Sequence, residues 1–238
     1  MTIKAVLFDL DGTLLQMDQD HFIDTYLGAI AQHLAAYGYD PALFAKALWK
    51  GTGAMIKNDG TRKNEEVFWS VFKALFPERD IDADLPYFEE FYEKKFDSVA
   101  PLVATPDPRS KKTVELVRSK GLRIALATAP LFPSVATEKR IAWAGLSPDD
   151  FELFTTYENC YFAKPSLDYY RSVCDRMGIL PEECLMVGND VDDDMVARDL
   201  GMKVFLLTDH LVNRKDADIS VYPNGSFDEL WTYIDSLI

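Results

Sequence analysis

Positive charge is scarce in this sequence. Its 238 residues contain 25 lysines and arginines against 39 aspartates and glutamates, a formal net charge of −14 at pH 7. Proteins that follow a nucleic-acid backbone neutralise its phosphates with clustered Lys and Arg, so the charge balance argues against a nucleic-acid partner. A small anionic ligand is compatible only with a site where local cations outweigh the overall field.

Long apolar runs and paired cysteines are also missing. The longest uncharged run, 124–137, contains two prolines and falls short of the about 20 residues that a membrane-spanning helix needs. Three cysteines, an odd number with no Cys-x-x-Cys spacing, favour reduced thiols. The chain also starts directly in an apolar strand without a leader pattern. These absences predict a soluble, cytoplasmic protein without membrane contact.

Apolar segments that alternate in type predict an α/β core. A hydrophobic content of 48% excludes a disordered chain. Strands that are apolar throughout and separated by single helices are typical of a parallel sheet covered on both faces. We therefore predict a Rossmann-like, doubly wound sheet. The predicted strands are 3–10, 123–129, 154–157, 184–190 and 203–209, and the helices are 109–120, 134–145, 166–178, 191–200 and 227–236.

A helical insertion interrupts this pattern directly after the first strand. Four stretches have apolar residues at helical spacing, and each ends in Gly, Pro or a turn cluster. They cover 21–39, 41–51, 64–76 and 85–96. We predict two domains, an α/β core of residues 1–16 and 105–238 and an all-helical cap of residues 17–104.

Polar residues follow the apolar strands at the points where the strands end. Asp9 and Asp11 follow the first strand with one leucine between them, and Thr128 and Asp190 follow later strands, with Lys164 in a loop. Each alone reads as a helix cap or turn residue. In open parallel sheets, however, ligands bind beyond the carboxyl ends of the strands, and five such residues at one edge predict a site. Neighbouring carboxylates persist together only around a shared cation or proton.

Four ordered segments carry a family resemblance: FDLDGT (8–13), ALATA (125–129), Lys164-Pro165 and VGNDVDDDM (187–195). They resemble the four motifs of the haloacid dehalogenase-like (HAD) hydrolase superfamily over the whole chain. The helical insertion resembles the C1-type cap of its phosphoglycolate phosphatase-like and beta-phosphoglucomutase-like members.

The resemblance implies a Mg²⁺-dependent phosphatase that hydrolyses a small phosphorylated metabolite through an aspartyl-phosphate. Asp9 would be the nucleophile, and Asp11 would act as general acid and then general base. Magnesium takes oxygen ligands, which would be the side chains of Asp9 and Asp190 and the main-chain carbonyl of Asp11. Asp194 would join this metal site from the second layer or through water.

The same resemblance implies a phosphate-binding group. Thr128 would bind a phosphoryl oxygen through its hydroxyl, assisted by the Ala129 amide, while Lys164 would offset the charge of the transferring group. Two positions depart from the pattern of many relatives. Ala129 stands where they carry asparagine, and Asn189 precedes Asp190 where they often have Gly-Asp directly.

Substrate contacts from the cap are predicted at three residues. His21 lies twelve residues after Asp9, where sugar phosphomutases of the superfamily resemble this chain in carrying a histidine at the cap hinge. Lys57 and Arg62 belong to a cation-rich segment, 50–63, which is either a solvated helix end or a surface that faces an anionic substrate.

Three other functions compete with the phosphatase. A sugar phosphomutase uses the same core and returns the phosphoryl group to a bound sugar, so it remains the main alternative. A non-catalytic phosphate-binding or regulatory protein would lack a motif residue. A haloacid dehalogenase proper has no general acid at the position of Asp11. The substrate and the oligomeric state are not predicted.

Overall fold

A six-stranded parallel sheet forms the centre of the core in the computed structural model, which describes residues 2–237. Its strands are β1 (Ala5–Phe8), β4 (Arg123–Leu126), β5 (Leu153–Phe154), β6 (Cys184–Gly188), β7 (Lys203–Leu207) and β8 (Asn224–Gly225), in the order β5-β4-β1-β6-β7-β8. The apolar β1 is fully buried and pairs with β4 on one side and β6 on the other. Its carboxyl end therefore lies in the middle of one sheet edge.

Helices cover both faces of the sheet, which confirms the doubly wound α/β prediction. Because side chains alternate along a strand, Val6 and Phe8 pack on one face and Ala5 and Leu7 on the other. The first face packs against α6 (Pro108–Ser119), α7 (Ser134–Trp143) and α9 (Phe227–Ser236), and the second packs against α8 (Leu167–Met177).

The insertion forms a helical cap with an aromatic interior. It contains α1 (Gln19–Ala35), α2 (Pro41–Ile56), α3 (Asn64–Lys73), α4 (Ile81–Lys94) and the short α5 (Ala100–Val103). Phe44, Phe72 and Phe88 pack edge to face in its centre. An antiparallel pair, β2 (Gln16–Met17) and β3 (Ala104–Thr105), joins the cap to the core. The domain limits themselves, 1–16 with 105–238 and 17–104, stay a prediction.

Helix α2 extends past the glycine at which the sequence predicts its end. Gly51 is buried inside the helix, and a Cβ atom built there would lie 2.6 Å from the ring of Phe68 in α3. The glycine therefore serves the close approach of α2 and α3, and the helix ends only at Ile56.

The α-helix predicted over 191–200 is not formed, and that prediction is wrong. The Oδ1 atom of Asp190 accepts the amides of Asp192 (2.8 Å) and Asp193 (3.0 Å). Such side-chain hydrogen bonds compete with helix formation. The chain therefore makes a turn first and then a 3₁₀ helix, Met195–Leu200.

Other boundaries move by a few residues. Strands β1 and β4 are shorter than predicted, because their pairing ends at Phe8 and Leu126. Helix α4 begins earlier, at Ile81, and contains Pro86. The strands β2, β3 and β8 are additional to those predicted. Within residues 2–237, every helix is too short or too polar to cross a bilayer.

Candidate active site

The carboxyl edge of the sheet gathers the residues predicted from the strand ends. β1 leads into Asp9 and Asp11, β4 into Thr128 and β6 into Asp190, while Lys164 comes from the loop before α8. All five are buried. One backbone hydrogen bond beyond the end of β1, from the Asp9 amide to the carbonyl of Val187 in β6 (2.9 Å), fixes the first aspartate at this edge.

A buried lysine joins two carboxylates at this edge. Lys164 Nζ lies 2.7 Å from Asp9 Oδ1 and 2.6 Å from Asp194 Oδ1. Burial alone would lower the pKa of Lys164, but the charges of Asp194 and Asp9 outweigh it and raise that pKa well above the ordinary value. Burial raises the pKa of Asp194 to about 7. The Oδ2 atom of Asp194 accepts the Asp190 amide (3.0 Å), an approach that only a glycine at position 188 permits.

Asn189, one of the two departures from the family pattern, connects three loops. Its Oδ1 accepts the hydroxyl of Thr13 (2.9 Å) and its Nδ2 donates to the carbonyl of His210 (2.7 Å). Gly12 has a φ of +80°, and a Cβ atom there would lie 2.3 Å from Asn189 Nδ2. The loop after β1 is thus shaped around this asparagine.

Asp11 is paired with an arginine that sequence reasoning missed. Arg140, on α7, is 1% exposed, and its guanidinium binds Asp11 Oδ2 and lies over the ring of Phe132, 4.3 Å from the centroid. Burial raises the pKa of Asp11, although the charge of Arg140 opposes the rise. The other oxygen, Asp11 Oδ1, is buried and has no partner among the described residues. The sequence does contain one signal for a buried arginine, because Arg140 lies four positions after Ala136 on the apolar face of its helix.

Thr128 and Ala129 lie where β4 has left the sheet. The carbonyl of Thr128 accepts the hydroxyls of Thr155 (2.6 Å) and Tyr169 (2.8 Å). These two hydrogen bonds hold the backbone that carries the Thr128 side chain and the Ala129 amide. Thr155 and Tyr169 were also missed, since hydroxyl groups in apolar segments give no distinctive pattern.

The oxygen ligands that the resemblance implies are compatible with Mg²⁺. Within residues 2–237 no group of three or more His, Cys, Asp or Glu side chains is arranged to hold a metal. The implied set needs only two carboxylates, Asp9 and Asp190, and the main-chain carbonyl of Asp11. Lys164 engages a single oxygen of Asp9, and such hard oxygen donors suit Mg²⁺.

Asp190 has a competing cation beside it. Its Oδ2 atom lies 3.1 Å from Nη1 of Arg214, which also contacts Asp20 of the cap at 3.3 Å. Burial and the charge of Asp190 raise the pKa of Asp193 to about 6. Arg214 is about half exposed, and exposed ion pairs contribute about 1 kcal/mol or less, so Arg214 is a weak competitor for a metal at Asp190.

The three cap residues predicted to bind substrate are all exposed on the cap. His21 is exposed, and its Nε2 lies 3.2 Å from the carbonyl of Leu102. Lys57 and Arg62 are exposed. The segment that carries them contacts the core at Asn64, whose backbone amide donates to the carbonyl of Cys160 (2.9 Å). Their role in substrate binding stays a prediction.

A cavity of ≈ 120 Å³ lies between the cap and the carboxyl edge of the sheet. Asp11 and Ala129 belong to its core wall, and residues of α1, α2, α3 and α4 form its cap wall. His21, Lys57 and Arg62 are absent from the described lining. The arrangement can therefore hold an organic group against Asp11 while a phosphoryl group lies at the edge.

The fold is an α/β core with a helical cap, and buried aspartates lie at the carboxyl edge of its parallel sheet. A family model for haloacid dehalogenase-like hydrolases matches residues 3–201, and the chain belongs to this family. The predicted resemblance is confirmed.

Individual relatives are distant but match along nearly the full length. A glyceraldehyde 3-phosphate phosphatase of Methanocaldococcus jannaschii is 26% identical, covering 99% of this chain and 98% of its own. A phosphoglycolate phosphatase of Chromobacterium violaceum is 27% identical, covering 84% and 82%. The solved structure of a 2-haloacid dehalogenase from Pseudomonas syringae has a TM-score of 0.66 at 18% identity, covering 99% and 100%. At that identity the likeness concerns the fold alone.

Proposed function

We propose that this protein is a Mg²⁺-dependent phosphatase that hydrolyses a small phosphorylated metabolite through an aspartyl-phosphate on Asp9. The family and the phosphatases among its relatives make the chain a phosphoric monoester hydrolase. The observation that carries the finer proposal is the pair of buried carboxyl groups with different partners. Asp9 is held by Lys164, whereas Asp11 has a raised pKa and a free oxygen beside a cavity.

The first half of the reaction uses the difference between these carboxyl groups. Asp9 is held by Lys164 at one oxygen and attacks phosphorus with the oxygen that the lysine does not engage. Lys164 offsets negative charge on the transferring group, as do the Thr128 hydroxyl and the Ala129 amide. Burial favours the protonated form of Asp11, which gives that proton to the leaving oxygen.

The second half uses Asp11 in its other protonation state. The Asp11 carboxylate takes a proton from water as the water attacks the phosphorus of the aspartyl-phosphate. The bond between phosphorus and the Asp9 oxygen breaks, which frees the Asp9 carboxylate and releases inorganic phosphate. Arg140 stabilises the carboxylate at this stage and holds its orientation. Magnesium, bound by Asp9, Asp190 and the carbonyl of Asp11, would supply positive charge between the carboxylates and the phosphate.

A sugar phosphomutase remains the alternative, and no contact in the described structure favours it. His21, the residue that pointed toward it, bonds the Leu102 carbonyl. A dehalogenase is disfavoured because Asp11 supplies a general acid that its chemistry does not need.

The test compares Asp9→Asn and Asp11→Asn with the wild type on p-nitrophenyl phosphate, with Mg²⁺ and with excess chelator. Asp9→Asn should abolish turnover and covalent phosphorylation. Asp11→Asn should slow turnover by about 10²–10⁴, the usual contribution of general acid–base catalysis. Thermal melting of both variants checks that they fold. Full turnover in chelator, or an active Asp9→Asn variant, would contradict the proposal.

A further inference from the structure

The cavity beside Asp11 is walled mainly by aromatic and aliphatic side chains. The cap contributes residues from four helices, and the core contributes the segment after β4. The apolar lining consists of Phe22, Ile23, Tyr26, Leu27, Ile30, Leu48, Trp49, Phe68, Trp69, Phe88, Tyr92, Ala129, Leu131, Phe132, Pro133 and Tyr157. Burial of such surface against hydrocarbon is favourable, by contrast with the burial of a charge.

The position of Asp11 in this wall assigns the cavity to the leaving group. In the proposed function, Asp11 protonates the oxygen that departs from phosphorus. The organic part of the substrate is attached to that oxygen, so it extends away from Asp9 and into the space that Asp11 faces. This step rests on the proposed function.

Cations are missing from the cavity wall as far as residues 2–237 define it. The guanidinium of Arg140 packs over the ring of Phe132 and is already paired with the carboxylate of Asp11. The hydroxyls of Tyr26 and Tyr92 bond each other at 2.7 Å, and burial raises the pKa of Tyr26 to about 12, so this pair is neutral. A carboxylate or second phosphate placed here would have no cation in the described wall to pair with.

We propose that the substrate is a phosphate monoester of an uncharged, apolar alcohol whose organic group fills this cavity. The volume of ≈ 120 Å³ sets the size, because apolar protein cavities of about 150 Å³ bind benzene. The organic group is therefore about one aromatic ring or a short branched chain. Phe22, Phe68 and Trp69 are among the aromatic side chains that would pack against it.

Two substrates that differ in one remote charge test this directly. Benzyl phosphate and 4-carboxybenzyl phosphate have the same reacting centre, and only the second brings a carboxylate into the cavity. We expect kcat/KM for benzyl phosphate to be higher by about 100-fold or more, because burial of an unpaired charge is costly. A ratio below about tenfold would overturn the inference.

Linear alkyl phosphates measure the capacity of the cavity. From methyl phosphate upward, each methylene should raise kcat/KM by up to about fourfold, the equivalent of ~0.8 kcal/mol of burial, until the cavity is full. A flat series would count against the cavity as the binding site. Acetyl phosphate, whose leaving group needs no cavity, serves as the reference. No release from these compounds or from p-nitrophenyl phosphate would refute the proposed function. Release without discrimination, or release from p-nitrophenyl phosphate alone, would refute only the substrate class.

A matched pair of variants locates the discrimination in the cavity. Leu27 lines it, whereas its neighbour Gly28 on α1 is exposed, and a Cβ atom there would meet nothing within 4 Å. Leu27→Lys should reduce the preference for benzyl over 4-carboxybenzyl phosphate at least tenfold, and Gly28→Lys should leave it unchanged. Equal effects of the two would contradict the assignment. If Leu27→Lys does not fold, the wild-type ratio decides.

Discussion

Replacing Arg140 by methionine isolates the ion pair that holds Asp11. The two side chains are 1% and 11% exposed, so the carboxylate that remains in Arg140→Met has little access to water. Methionine fills a similar space, which limits the loss of packing against Phe132. The variant therefore tests charge compensation more than volume.

The expected loss is large at high pH and small at low pH. Breaking a buried ion pair by removing one partner costs about 3–5 kcal/mol. The charge of Arg140 lowers the pKa of Asp11, so its removal raises that pKa further above the value in the unfolded chain. A carboxyl group with a raised folded pKa contributes its stability below the unfolded pKa, and that stability is lost as the pH rises through the folded pKa. Arg140→Met should therefore approach the wild type near pH 4 and lose the most at pH 8.

The assay is thermal unfolding of metal-free protein at pH 4 and pH 8. A loss of 3 kcal/mol corresponds to roughly 6–12 °C in Tm for a chain of this length. Adding Asp11→Asn to Arg140→Met removes the unpaired charge and should restore part of the loss at pH 8. Arg118→Met is the matched control, because Arg118 is about half exposed in its pair with Asp150 and solvent-exposed pairs contribute about 1 kcal/mol or less.

Two results would refute this reasoning. In one, Arg140→Met melts at the wild-type temperature at pH 8. In the other, Asp11→Asn lowers the stability of Arg140→Met further, which would mean that the remaining carboxylate is not the source of the loss.

Three other predictions follow from particular contacts. Gly51→Ala should destabilise the protein by about 1–3 kcal/mol, because the added methyl group would lie 2.6 Å from Phe68. Gly53→Ala, with nothing within 4 Å of the added methyl group, should stabilise the same helix by about 0.5–1 kcal/mol. Equal urea midpoints for the two variants would refute the close approach of α2 and α3. Arg214→Gln frees an oxygen of Asp190. The Mg²⁺ concentration that gives half-maximal thermal stabilisation should therefore fall by about 2–5-fold, which corresponds to the free energy of an exposed ion pair. An unchanged Mg²⁺ titration would count against Asp190 as a ligand. His21→Ala should change the rate modestly and leave inorganic phosphate as the product from hexose 1-phosphates; hexose 6-phosphate formed by the wild type and lost in this variant would favour the phosphomutase.

Most residues of the candidate site at the carboxyl edge of the sheet could be predicted, because parallel strands align their carboxyl ends. Asp9, Thr128 and Asp190 each follow an apolar strand, so they had to meet once the strands paired in parallel. The cap was predictable as helical from apolar spacing. The acidic turn at Asp190 was not, because its side chain takes the amides that a helix would use.

The sequence by itself determined the family, the α/β core with its helical insertion, and the residues at the strand ends, since these depend on local pattern and strand direction. Tertiary structure alone decided which side chains meet across the chain. Arg140 reaches Asp11 over 129 positions and Thr13 reaches Asn189 over 176, and four separate helices build the cavity wall. Such contacts depend on how helices pack onto the sheet, because no local periodicity encodes the distance between residues brought together by different elements.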